Sequence, residues 1–217
     1  QLGNRPIKVV YDCGNGTTSV IADQIFANLN VEAIPLFNIS DGTFPNHVPN
    51  PENKKAMDCI KKATIENGAD LGIIFDTDVD RAATVFPSGK EINRNALIAL
   101  MGAIVAQTNP GSTVVTDSVT SDQLQDFLEN RLGLKHHRFK RGYRNVINES
   151  VRLNNEGVES CLAIETSGHG ALKENYFLDD GAYMSVKILC EVVRCKRSGK
   201  SIEDMLDGLK EAAESKE

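Results

Sequence analysis

Asp76, Asp78 and Asp80 fall at every second position of the stretch GIIFDTDVDRAATVF (72–86), behind an apolar run and directly ahead of Arg81. Carboxylates this close repel one another unless a positive group sits among them. Oxygen ligands of this kind suit a hard cation such as Mg²⁺ or Ca²⁺. An EF-hand count from Asp76 fails, because its sixth position is Arg81 instead of glycine and its twelfth is Pro87 instead of glutamate. The end of a buried strand is where open α/β sheets carry their sites. Three protein carboxylates would leave octahedral Mg²⁺ with open positions, one of which a phosphate oxygen can fill.

The same residues fit a second pattern. An apolar strand followed by Asp-x-Asp-x-Thr/Val resembles the haloacid-dehalogenase phosphatases, with Asp76 as nucleophile, Asp78 as acid, and Asp179 and Asp180 as a downstream metal pair. That pattern asks for neither the third aspartate nor the arginine. A non-catalytic metal- or sugar-binding module is a third reading.

Two further clusters could do chemistry. Glu165, Ser167 and His169 alternate after the apolar run SCLAI. The first two could hydrogen-bond vicinal hydroxyls, and the histidine could shuttle a proton near neutral pH. Arg141 and Arg144 flank Gly142 at an expected helix start, a place suited to an anion. The glycines of DCGNGTTSV (12–20) do not complete a dinucleotide fingerprint, since Ser19 stands where the third glycine belongs. Gly14 and Gly16 suit a tight strand-to-helix turn.

The elements that must position these residues alternate between strand and helix. Strands are expected at 7–13, 31–37, 69–75 and 82–86, with helices at 17–29, behind a Thr17 cap, and 51–68, ended by Gly68. The pattern restarts with helices at 94–107, 121–133, 144–157, 181–197 and 201–215, and strands at 112–117, 134–139 and 159–165. This predicts two consecutive α/β domains with mixed, mainly parallel sheets flanked by helices, over 1–91 and 92–217.

Composition narrows the class. In 217 residues, 41% are hydrophobic and the net charge is −6, with no basic block beyond Lys135 to Arg144. A nucleic-acid surface is not expected from that balance. No run reaches the ~18 apolar residues of a membrane helix. Cys13, Cys59, Cys161, Cys190 and Cys195 form no Cys-x-x-Cys pair, so zinc is not expected, and reduced thiols in the cytoplasm are.

Four segments in order, DGTFPNHVPNPE (41–52), DTDVDR (76–81), GYRNVI (142–147) and ETSGHGALKENYFLDDG (165–181), resemble the α-D-phosphohexomutase superfamily, the phosphoglucomutase/phosphomannomutase enzymes. The resemblance covers the second and third of that family's four domains. It implies that Asp76, Asp78 and Asp80 hold Mg²⁺ and that Arg81 meets the phosphoryl group or sugar. It further implies that Glu165 and Ser167 bind sugar hydroxyls and that His169 assists proton transfer. Arg144 stands where relatives often carry lysine, and a guanidinium fork is not an ammonium point charge. Thr77 and Val79 replace the small residues that many relatives place between the aspartates. The family's phosphoserine loop, Thr-Ala-Ser-His-Asn-Pro, and its fourth-domain phosphate loop do not occur in the 217 residues. The expectation is the central piece of a Mg²⁺-dependent hexose-phosphate isomerase, inactive alone and partnered by the family's first and fourth domains. The particular hexose phosphate is left open.

Overall fold

The computed structural model describes residues 6–210. They pack as two compact units, one formed by residues up to 93 with 167–169 and 179–202, the other by 94–166, 170–178 and the residues after 202. The division expected at 91/92 follows chain order, whereas packing returns the late segment 179–202 to the first unit.

The first unit is built on a five-stranded sheet of order β2-β1-β3-β4-β5. Its strands are β1 (Ile7–Asp12), β2 (Val31–Leu36), β3 (Leu71–Phe75), β4 (Ala82–Val85) and the short β5 (Glu91–Ile92). β1 runs parallel to β2 and β3, and β4 and β5 return antiparallel. β3 is buried at every residue, which is why it reads as an unbroken apolar run. Alternation along it still sorts the faces. Ile74 meets helix α2 (Lys54–Glu66) through Met57 and Ile60. Ile73 and Phe75 face α1 (Thr18–Ala27) and α6 (Gly181–Arg197) across a small apolar cavity. Helix α1, ten residues long, does not cover that face alone. Helix α6 covers the rest with Ser185, Ile188, Leu189 and Val192, and its Lys196 pairs with buried Asp70 at the start of β3.

The second unit has a four-stranded sheet, β7-β6-β8-β9. Parallel β6 (Thr113–Asp117), β7 (Lys135–Phe139) and β8 (Ser160–Ile164) are extended by antiparallel β9 (Gly170–Leu172). Helix α5 (Tyr143–Asn155) lays Val146 and Leu153 on Val115 and Ala163. Helix α3 (Arg94–Thr108), buried over most of its length, packs on β8. Two expected helices differ. The run at 121–133 is α-helical only over α4 (Asp122–Asp126) and then widens into a π turn, Phe127–Arg131, closed by Leu132 N–H to Phe127. The run at 201–215 is a 3₁₀ turn, Ile202–Leu206, before Gly208 at φ +91°, and residues 211–217 lie outside those described.

A buried ion pair anchors the irregular loop 37–53 to the sheet. His47 Nε2 lies 2.9 Å from Asp12 Oδ2, both side chains at 0% exposure, and His47 Nδ1 lies 2.9 Å from the Val48 carbonyl. A carboxylate and a carbonyl only accept, so both ring nitrogens donate and the imidazole is charged. Burial opposes that charge, and the Asp12 and Val48 acceptors outweigh it, raising the pKa. The pair's contribution is therefore complete below the ordinary value of ~6.5 and declines as pH rises through the folded value. His47→Gln should lower the melting temperature most between about pH 5 and 6.5 and progressively less above, the loss at low pH being on the order of 3–5 kcal/mol. A difference independent of pH would contradict a charged His47.

Candidate metal and sugar-phosphate site

Residues 76–81 close the hairpin between β3 and β4, whose last rung is Phe75 with Ala82. Asp76 is wholly buried. Its Oδ2 accepts Arg81 Nε–H at 2.9 Å and its Oδ1 accepts the Arg81 amide at 3.2 Å. Burial raises its pKa, the nearby Asp80 carboxylate adds to that, and the Arg81 donors work against it. Asp78 is exposed, and Asp80 lies between Arg81 Nε (3.8 Å) and His169 Nδ1 (3.6 Å).

The loop backbone is gripped from behind by two helix N-termini. The Thr77 carbonyl accepts both the amide (2.9 Å) and the hydroxyl (2.8 Å) of Thr17, which precedes α1. Thr17 thus does not cap its own helix with its side chain, as the sequence suggested; its hydroxyl serves the acid loop. The Val79 carbonyl accepts the amide of Gly181, first residue of α6, at 2.9 Å. A Cβ on Gly16 would come within 2.9 Å of the Thr77 carbonyl oxygen, and one on Gly181 within 2.7 Å of the Arg81 carbonyl carbon, so both helices need glycine to approach. Helix N-termini carry partial positive charge and favour nearby anions.

One ligand oxygen from each of Asp76, Asp78 and Asp80 can be chosen so that all lie within 4.8 Å of one another. Asp80 Oδ1 is buried and accepts no hydrogen bond. An all-oxygen donor set with an orphaned acceptor fits a hard divalent cation. A second grouping, Asp80, His169 and Asp179, is equally close. There His169 Nδ1 donates to Asp179 Oδ2 at 2.7 Å, so two of the three groups are already paired with each other. That bond orients the ring and assigns the proton to Nδ1. Burial opposes the imidazolium, while the Asp179 bond and the Asp179 and Asp80 charges raise the pKa. His169 reaches the loop because Arg81 and His169 form a β-bridge, with Gly168 at φ +100° passing close to the Ala82 carbonyl.

The first unit thus brings together Asp76, Asp78, Asp80, Arg81 and His169, and Ser167 lies in it too. Glu165 and Arg144 belong to the second. Glu165 follows β8, and its Oε1 accepts the Gly142 amide at 2.6 Å. Gly142 precedes α5 at φ +114°. The Arg144 guanidinium donates to the Tyr143 hydroxyl at 3.1 Å and lies 5.7 Å above that ring. Buried Asp117, at the end of β6, takes the Thr166 hydroxyl (2.7 Å) and amide (3.3 Å) on Oδ2 and so fixes the turn that carries Glu165.

Sequence reasoning missed Asp117, the Thr17 contact to the loop and Gly181, and placed Asp179 only in the alternative dehalogenase reading. The dehalogenase pattern is not favoured. Its nucleophile, Asp76, is paired through both oxygens with Arg81, a residue that the pattern does not call for. Asp179 holds His169, and Asp180 caps α6 by accepting the Tyr183 amide at 2.8 Å.

Two α/β units, the first with an acidic hairpin loop and the second with a carboxylate turn beside a helix start, define the class. The family model for the phosphoglucomutase/phosphomannomutase α/β/α domain II matches residues 1–89, and that for domain III matches 93–212. The chain belongs to the phosphoglucomutase/phosphomannomutase family. It is 33% identical over 199 residues to a phosphomannomutase/phosphoglucomutase of Pseudomonas putida, covering 91% of this chain and 42% of that protein. A Pseudomonas aeruginosa relative of the same name is 38% identical over 189 residues, covering 85% and 39%. The chain spans about two fifths of the length of these curated relatives. Among solved structures, a family protein from Burkholderia thailandensis superimposes with a TM-score of 0.81 at 29% identity, over 97% of this chain and 44% of that one. The N-acetylphosphoglucosamine mutase of Aspergillus fumigatus, solved with GlcNAc-6P and magnesium, shares the fold at 12% identity and a TM-score of 0.68, over 95% and 50%.

Removing the guanidinium from a wholly buried carboxylate should be costly. Arg81→Met is expected to destabilise the chain by about 3–5 kcal/mol, the scale of stranding one partner of a buried ion pair. Chemical denaturation measures it, and a loss under about 1 kcal/mol, the scale of a surface pair, would show that Asp76 does not depend on Arg81.

Proposed function

We propose that this chain supplies the metal-holding and sugar-binding centre of a cytoplasmic phosphohexomutase, which interconverts hexose 1-phosphate and hexose 6-phosphate. The observation that carries the reading is the convergence of Asp76, Asp78, Asp80 and Arg81 of one hairpin loop with His169, which is bridged to it. No helix among the described residues is long and apolar enough to cross a membrane, and the five cysteines are free thiols.

In this reading Asp76, Asp78 and Asp80 hold Mg²⁺. When bound, the ion offsets charge on a loose, metaphosphate-like phosphoryl group. Arg81 is fixed by Asp76 and presents its remaining guanidinium donors to the phosphoryl oxygens. Asp179 holds the His169 proton on Nδ1, which directs Nε2 to exchange a proton with the sugar hydroxyl that takes or gives up the phosphoryl group. Glu165 and Ser167 bind sugar hydroxyls, and Arg144 with the start of α5 receives the substrate's other phosphate. The phosphoryl donor is a phosphoserine of the parent enzyme. Relatives more than twice this length have room for the first- and fourth-domain segments that would complete the site.

Three measurements on the 217-residue chain test this. Mg²⁺ should raise the melting temperature of the chain but not of Asp78→Asn. Hexose phosphate binding, read by calorimetry, should weaken roughly 10–100-fold in Glu165→Ala, matching about 1.5–3 kcal/mol for hydrogen bonds to a charged group. A coupled assay should find no conversion of glucose 1-phosphate by the chain alone. Conversion at enzyme-like rates would overturn the dependence on a separate phosphoserine, and indifference to Mg²⁺ would overturn the metal assignment.

A further inference from the structure

Among the described residues, Val79 is the one β-branched side chain held at positive φ, at +73°. A branched Cβ crowds the backbone there, so the conformation is not one that valine adopts by its own preference. Its holder is identifiable. The Val79 carbonyl accepts the Gly181 amide at 2.9 Å, and Gly181 stands so close to the loop backbone that a Cβ would lie 2.9 Å from the Val79 oxygen. Helix α6, seventeen residues long, is in turn fixed along its buried face by Ile188, Leu189 and Val192, and at its far end by the Lys196–Asp70 pair.

The turn at Val79 has a geometric effect on the carboxylates. In a straight strand, Asp76 and Asp80 would stand about 13 Å apart along the chain, at about 3.3 Å per residue. Here their ligand oxygens gather with that of Asp78 within 4.8 Å. The reversal at Val79 brings Asp80 back beside Asp76 and returns Arg81 into the hairpin.

We infer that Val79 is a positioning residue whose left-handed backbone, imposed by the N-terminus of α6, gathers the three carboxylates, so that docking of α6 sets the cation affinity of the acid loop. This rests on the metal assignment above. Glycine at this position would take the same φ freely, and the loop would then keep its shape without help from α6.

The first arm of the test concerns the backbone alone. At an ordinary φ, alanine is more stabilising than glycine; at a strained left-handed φ the order reverses. V79G should therefore melt above V79A in metal-free buffer, and V79A melting above V79G would overturn the inference. The second arm is a double-mutant cycle read by the electron paramagnetic resonance of free Mn²⁺. G181A, which pushes α6 off the loop, should weaken Mn²⁺ binding about tenfold or more in the wild-type background and less than about threefold in the V79G background. Equal losses in both backgrounds would overturn the coupling. If G181A does not fold, the order of V79G and V79A still decides. Absence of Mn²⁺ binding by the wild-type chain would remove the metal assignment, and the melting order would still decide whether Val79 is held in strain.

Discussion

The acid loop depends on how its backbone carbonyls are satisfied. Three carboxylates on consecutive alternate residues can share one side of a chain only if something secures the other side. In this protein the Thr77 and Val79 carbonyls, between the aspartates, are taken by Thr17 at the start of α1 and by Gly181 at the start of α6. The two helices contribute donors and the positive ends of their dipoles at the same place. Glycines at 16 and 181 let backbone meet backbone. The packing of α1 and α6 on Ile73 and Phe75 is therefore also what shapes the site. A fold that placed either helix elsewhere would leave the aspartates to spread apart.

Much of this was legible in the sequence, for reasons specific to particular residues. The unbroken apolar run of β3 reads as a strand buried on both faces, and three aspartates at period two after it read as a site or a solvated acidic turn. Helix α6 was legible as a helix, Gly181–Arg197, but its destination was not. An apolar stripe says which face is buried and is silent on which sheet buries it. The same limit hid Asp179, whose partner His169 is joined to it only by the way the intervening chain folds. Strand β9, three residues containing glycine and alanine, has too little β-branched character to stand out. The π turn at Phe127–Arg131 keeps a helical apolar pattern, and Gly102 beside Leu128 shows the close approach from α3 that accompanies it.

The second unit uses a different device for a similar end. Its carboxylate turn is held by a side chain, buried Asp117, instead of by helix ends, and Glu165 is tied through the Gly142 amide to the start of α5. One hydrogen bond thus joins the turn that carries Glu165 to the start of the helix that carries Arg144. The Arg144 guanidinium lies 5.7 Å from the centre of the neighbouring Tyr143 ring and donates to its hydroxyl.

If the acid loop is a single-cation site, Asp76, Asp78 and Asp80 must all ligate the same ion. A crystal of the chain soaked in Mn²⁺ and measured at the manganese absorption edge tests this most directly. The predicted result is one anomalous peak with an oxygen of each aspartate at about 2.1 Å, a Mg²⁺-like distance. A peak on His169 and Asp179 instead, or no peak at the loop at saturating Mn²⁺, would contradict it.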